Sequence, residues 1–281
     1  MLSAHLGVGR GCTMDLFPTA YPTAQASAVA CVFAQVSLWC LFAKVLPDGP
    51  WRKEPGFTAH QCIALPLMIY VTSLGLAEWF YPTEAPPTTA LGRVGAKTVM
   101  GDHLSQVMFG AMACWDIPTG LLVDSLRKPP MVIHHVLMAW MTYLALSPAF
   151  SYYTIMFFGA IELSSVPLAV VDLVHPEHKE WSALVKRVPL LASLNTACRA
   201  VFVLLYLVVR TTWFPYVMVF HLHADLWECY AMASPPISHR ALVIVYVCTS
   251  LLTLLQVFWT VLILQQARKL FGPGKKSRKA E

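Results

Sequence analysis

His134 and His135 stand side by side in the segment PPMVIHH, inside an apolar stretch. An imidazole with a carboxylate partner acts as a general base or a nucleophile near neutral pH. Asp116 and Glu162, in neighbouring apolar stretches, are the carboxylates available to orient one. The four residues form a candidate catalytic set. Consecutive residues on a helix point about 100° apart, so both imidazoles line one cavity only if it is wide. The alternative is a pair of structural histidines bridging helices by hydrogen bonds. Asn195 and Arg199, spaced i, i+4, share one helix face and are candidates to bind substrate. Arg199 either pairs with Glu162 or grips an anionic headgroup. Asp102, His103 and Gln256 complete the polar residues found in apolar surroundings.

Those surroundings are a bilayer. Of 281 residues, 57% are hydrophobic and 12% charged, against about 45–50% and roughly 25% in soluble domains. The mean hydropathy of +0.58 agrees. Ionisable groups inside a membrane are costly, so each is first read as facing a bundle interior or cavity, with a function attached. Apolar runs over 26–46, 60–80, 99–123, 131–149, 152–173, 189–210 and 241–266 are each near the ~20 residues that cross the hydrocarbon core. The expected fold is all-α and polytopic, with about seven transmembrane helices. At about 1.5 Å per residue, Asp116 lies about 10 Å from its end of the membrane, His134 and His135 about 5–6 Å, and Asn195 roughly 9 Å. These depths point to one polar chamber in the cytosolic half.

Orientation follows from charge. With seven spans, the basic residues of loops 44–53, 127–128 and 179–187 and of the tail share one side with the C-terminus. That side is cytosolic by the positive-inside rule. Arg10, Arg93, Lys97, Arg210 and Arg240 remain on the other. The stretch 211–233 is long enough to span, but His221, His223, Asp225 and Glu228 make it costly in lipid. An eighth span there would also destroy the charge asymmetry, so it is expected to be re-entrant or packed at the non-cytosolic face. The spacing His221-x-His223-x-Asp225 suits a strand better than a helix, and an interfacial hydrogen-bonding segment is favoured over a metal site.

Several chemistries lack support. There is no P-loop, Rossmann glycine fingerprint or GxSxG elbow. The 8 Cys show no CxxC pairing and read as small apolar residues rather than a disulfide framework. The net charge of +5 is placed for membrane orientation, not for nucleic acid. The tail KKSRKAE is similar to a dilysine retrieval signal for the endoplasmic reticulum, the expected location.

The order WDIPTG (115–120), PPMVIHH (129–135), GAIELSSVP (159–167), LNTACRAVFVLLYLVVR (194–210) and LLQVFWTVLILQQARKLF (254–271) resembles the TLC-domain family. That family includes the ceramide synthases and several smaller TLC domain-containing proteins. The resemblance implies a ring of six membrane helices around a lipid-sized cavity, preceded by one extra helix. It divides the chain into an N-terminal segment (1–25), a first helix and loop (26–56), the TLC domain (57–271) and a basic tail (272–281). In ceramide synthases the paired histidines carry acyl transfer from acyl-CoA to a sphingoid base, and His134 and His135 match that pair. Gln256 and Trp259, on the closing helix of the pattern, join the substrate-binding candidates. Two departures stand out: Met138 occupies a position where ceramide synthases have Thr, and the Asp-rich stretch is replaced by GAIELSSVP. The latter is more like the smaller family members, tied to phospholipid composition, fluidity or trafficking.

The expected function is thus in lipid metabolism or homeostasis, as an acyltransferase or as a non-enzymatic lipid-binding regulator. No bound cofactor is expected, and acyl-CoA would be a co-substrate. The expected partner is a membrane lipid (sphingoid base, ceramide or phospholipid); a homodimer is left open.

Overall fold

The computed structural model describes residues 21–147, 150–235 and 237–271. The segment 1–20 and the basic tail lie outside these, and so does the retrieval-like signal. Seven long helical runs fill the described chain: α1 (Pro22–Val45), α2 (Pro55–Phe80), α3 (99–122), α4 (Pro129–Ala145), α5 (Ser151–Leu173), α6 (Pro189–Ala231) and α7 (His239–Phe271). By length and composition α1, α2, α5, α6 and α7 suit a membrane crossing. The remaining two are a 17-residue α4 and an α3 that carries Asp102 and Asp116. Proline opens α1, α2, α4 and α6, because the first turn needs no N–H donor and its φ is already helical.

Helices α2 to α7 close a ring. Going round it, α2 packs on α3, α3 on α4, α4 on α7, α7 on α6, α6 on α5, and α5 back on α2. Helix α1 lies outside, against α2 and α3. The six-helix ring with one preceding helix is the arrangement expected above. Among the described residues the centre, where a lipid-sized cavity was expected, is lined by packed side chains. α5 leans inward far enough to touch α3 as well, and Met156, Phe157, Phe158, Met218 and Leu222 are all buried there. The two best-formed cavities hold about 30 and 10 Å3, room for a water or two, and neither is lined by His134 or His135.

Close helix approach relies on small residues, as membrane interfaces do when lipid offers no hydrophobic driving force. A Cβ on Gly75 would stand 2.5 Å from Gly159 Cα, and one on Gly110 would stand 2.1 Å from the Ala24 carbonyl oxygen. Gly110→Ala must therefore push α1 off α3. The expected loss is about 1–3 kcal/mol, read as a lower thermal midpoint in detergent; an unchanged midpoint would show that α1 is not seated there.

Two expectations are corrected. Of the two placements expected for 211–233, re-entrant or packed at the non-cytosolic face, the re-entrant one is excluded, since α6 runs unbroken for 43 residues to Ala231. At about 1.5 Å per residue that is roughly 64 Å, about twice the hydrocarbon thickness, so the helix continues beyond the membrane. Nor does His221-x-His223-x-Asp225 adopt a strand. On the helix the three side chains part company. His221 meets Tyr216 edge-on and His223 Nε2 bonds Thr249 Oγ1 at 2.9 Å. Asp225 accepts two 2.6 Å bonds from Arg93 and another from Tyr153. That ion pair clamps the outer part of α6 to the short helix Ala90–Gly95, and it draws the guanidinium pKa of Arg93 upward.

Candidate functional site

One end of the ring gathers the loops rich in basic residues. There His178 Nδ1 meets Glu54 at 3.0 Å, Lys128 pairs with Glu177, and Trp51 meets Trp181 edge-on. The Lys128 ammonium holds the Glu177 carboxyl below its ordinary pKa. His60 lies five residues into α2 from this end, Asp116 six residues from the end of α3, and His135 six residues into α4. All three are therefore about 8–9 Å deep, and they meet.

Asp116 is the centre of the meeting. Its Oδ1 bonds His60 Nε2 at 2.8 Å, and its Oδ2 lies 2.5 Å from His135 Nδ1. The second contact is that of an ion pair approached off the N–H axis, so a small turn of the His135 ring aligns it. Such tightening is normal when a substrate arrives. Asp116 and His60 are buried, whereas the His135 side chain keeps 26% of its surface exposed. Its Nε2 has no protein partner among the described residues. The His60 ring stacks on Trp115, centroids 4.8 Å apart.

The local backbone explains why Asp116 points inward. Asp116 ends a wide, π-type turn at Met112–Asp116, two residues before Pro118. A proline cannot donate to the carbonyl four residues back and its ring crowds that carbonyl. The helix widens there, and the extra residue re-aims the side chains around it. Arg210 lies in a second such turn, Tyr206–Trp213, which precedes Pro215.

Glu162 belongs to a different cluster. Arg210 Nη2 bonds Glu162 Oε2 at 2.9 Å and Ser165 Oγ at 2.8 Å, while its Nε bonds Ser164 Oγ at 2.7 Å. Ser165 donates to the same carboxylate oxygen. Two buried charges are thereby matched and hydrogen bonded, the only economical state for them. The expected partner Arg199 does not reach Glu162: it is exposed and its Nε bonds Asn195 Oδ1 at 3.1 Å. Asn195 is half-buried and Arg199 exposed, and the bond between them is the side-chain hydrogen bond either makes within the Pro189–Leu205 stretch. Arg210, assigned above to the far side, is instead a buried interior group.

The closing helix behaves as a wall of the same chamber. Trp259 meets His134 edge-on with centroids 5.1 Å apart, and Gln256, 2% exposed, accepts a 3.0 Å bond from Tyr206. His134 Nδ1 is buried without a protein partner among the described residues. The histidines therefore divide: His135 is held by a carboxylate, and His134 is packed by an indole. Asp102 and His103 lie elsewhere, bonded to Lys97 and Gln106 and to Tyr70.

His60 and Arg210 are the members that sequence reasoning missed. Each sits near the edge of its apolar run, where a charge reads as a loop residue. For Arg210 the signal available was the nearby Pro215, marking a widened turn; nothing local to His60 pointed to Asp116.

A family model described as a TLC domain matches residues 58–265, about three quarters of the chain. No curated protein and no solved structure matches it.

Proposed function

The chain belongs to the TLC-domain family, as an integral membrane protein of lipid metabolism or homeostasis, and from that premise we propose that it transfers an acyl group from acyl-CoA to a membrane-lipid acceptor. The observation that supports this is the 2.5 Å contact of His135 Nδ1 with Asp116 on a ring whose Nε2 is free. A carboxylate on Nδ1 places the proton there and leaves the Nε2 lone pair to act as base, the nucleophile–base–orienter arrangement. Nε2 takes the proton of the acceptor amine or hydroxyl as that atom attacks the thioester carbonyl. The carbon–sulfur bond then breaks, and the imidazolium returns the proton to the departing thiolate. The products are an amide or ester and free CoA. Asp116 stays ionised throughout and balances the transient imidazolium. The acceptor class is a sphingoid base or a lysophospholipid. The basic loops support a cytosolic placement of this end of the ring, where acyl-CoA is supplied, and residence in the endoplasmic reticulum fits that role.

A second reading is favoured by the packed ring centre and small cavities: the polar groups hold a lipid headgroup and the protein regulates membrane lipid composition without reaction. One experiment separates them. Purified protein in nanodiscs is given acyl-CoA with sphingoid-base and lysolipid acceptors, and CoA release is followed for wild type and His135→Ala. Release that vanishes in the variant is the expected result. No release from wild type, with a defined lipid co-purifying in stoichiometric amount, would move the function to the regulator.

A further inference from the structure

We infer that Gln35, on the helix preceding the matched domain, is a positioning residue for the Asp116–His135 dyad, acting through Trp115 and His60. The inference rests on the reading of that dyad as a general base. Gln35 is 5% exposed, and both ends of its amide are used. Trp115 Nε1 donates to Gln35 Oε1 at 3.0 Å, and Gln35 Nε2 donates to the Gly56 carbonyl at 3.0 Å. An indole N–H only donates, so it fixes which end of the amide faces which partner. The indole, itself 3% exposed, then lies against His60 with an interplanar angle of 21°.

That stack matters because of how little else holds His60. Its Nε2 bonds Asp116 Oδ1, and its Nδ1 is buried with no protein partner among the described residues. With one polar tie, the rotation of the ring is set by the face it rests on. Trp115 also immediately precedes Asp116 in the chain, so a shift of the indole moves the carboxylate by two routes. The off-axis approach of His135 to Oδ2 means that a small change in the Asp116 carboxylate plane aligns or breaks that contact. Helix α1 is anchored to transmit this, since Ser27 Oγ donates to the Val107 carbonyl at 2.8 Å and Gly110 closes on Ala24. The extra helix is therefore part of the site rather than an appendage to the ring.

The test uses the full chain in nanodiscs with 15N-labelled histidine, the His60 and His135 signals being assigned with His60→Gln and His135→Gln. Wild type should show His60 protonated on Nε2 and His135 on Nδ1. In Gln35→Met, which keeps the shape but loses both hydrogen bonds, the nitrogen signals of both rings should move. CoA release should slow on the order of tenfold to a hundredfold, in kcat with KM unchanged. Trp115→Phe, which keeps an aromatic face but no N–H, should shift the same signals less, and it carries the test if Gln35→Met does not fold. Folded variants with wild-type imidazole signals would overturn the inference. A wild type that releases no CoA, but whose imidazole signals still respond to Gln35→Met, would remove the acyl-transfer reading and sustain the positioning role.

Discussion

Asp116→Asn should lower CoA release by about two to four orders of magnitude, the range for losing a positioned acid–base group, while the ring still folds. The carboxylate accepts a hydrogen bond from His60 on Oδ1, while its Oδ2 is in ion-pair contact with His135 Nδ1. An amide of the same shape offers one oxygen and one NH2. Whichever histidine meets the NH2 must present a lone pair to it, which reverses its tautomer. If that is His135, its proton moves to Nε2 and the base is lost. If it is His60, the Asn oxygen still faces His135, but the negative charge that balances an imidazolium is gone. Either way the rate falls. Release kinetics together with the thermal midpoint check this, and a folded Asp116→Asn protein with the wild-type rate would remove Asp116 from the mechanism. His134→Ala is expected to act differently, because His134 has an indole rather than a carboxylate beside it.

The buried ion pair carries the second large effect. Removing one partner by Arg210→Met or Glu162→Gln should cost about 3–5 kcal/mol, since it strands a charge or its donors in a dry interior. The pair is 7% exposed on both sides, so solvent does not screen it. Replacing both, as Arg210→Met with Glu162→Leu, should recover most of that loss, because no charge then remains to be desolvated. Unfolding midpoints of the two single variants and the double variant in detergent measure this. A double variant no more stable than the worse single would mean that the two side chains act independently, and the pair would not be what joins α5 to α6.

The class of the molecule and its helical segments were legible from the chain because they follow from local composition. Runs of apolar residues near the length of a bilayer crossing, opened by Pro22, Pro55, Pro129 and Pro189, specify helices whatever they pack against. The ring of six with one outer helix, implied by the family resemblance, agrees with the packing. That Asp116 and His135 lie in the same half of the membrane was also legible, since the counted depths were about 10 Å and about 5–6 Å; their matching depth came only with the helix ends of the fold.

Partnership was another matter. Arg199 and Arg210 differ by eleven residues on one helix, and nothing local says which of them faces Glu162; the widened turn before Pro215 and the inward lean of α5 decide it. Asp116 and Glu162 were equal candidates for orienting a histidine until Arg210 claimed one of them. His60 and Gln35 gained their roles only when α1 and α2 packed on α3, at separations of 56 and 80 residues from their partners. Sequence alone determined the solvent and the helical class, because those depend on a residue's own neighbours, but not the depth of every polar group, as the interior Arg210 shows. The tertiary structure decided which groups touch, because in lipid a buried charge or amide has no water to bond and must take the partner that packing brings to it.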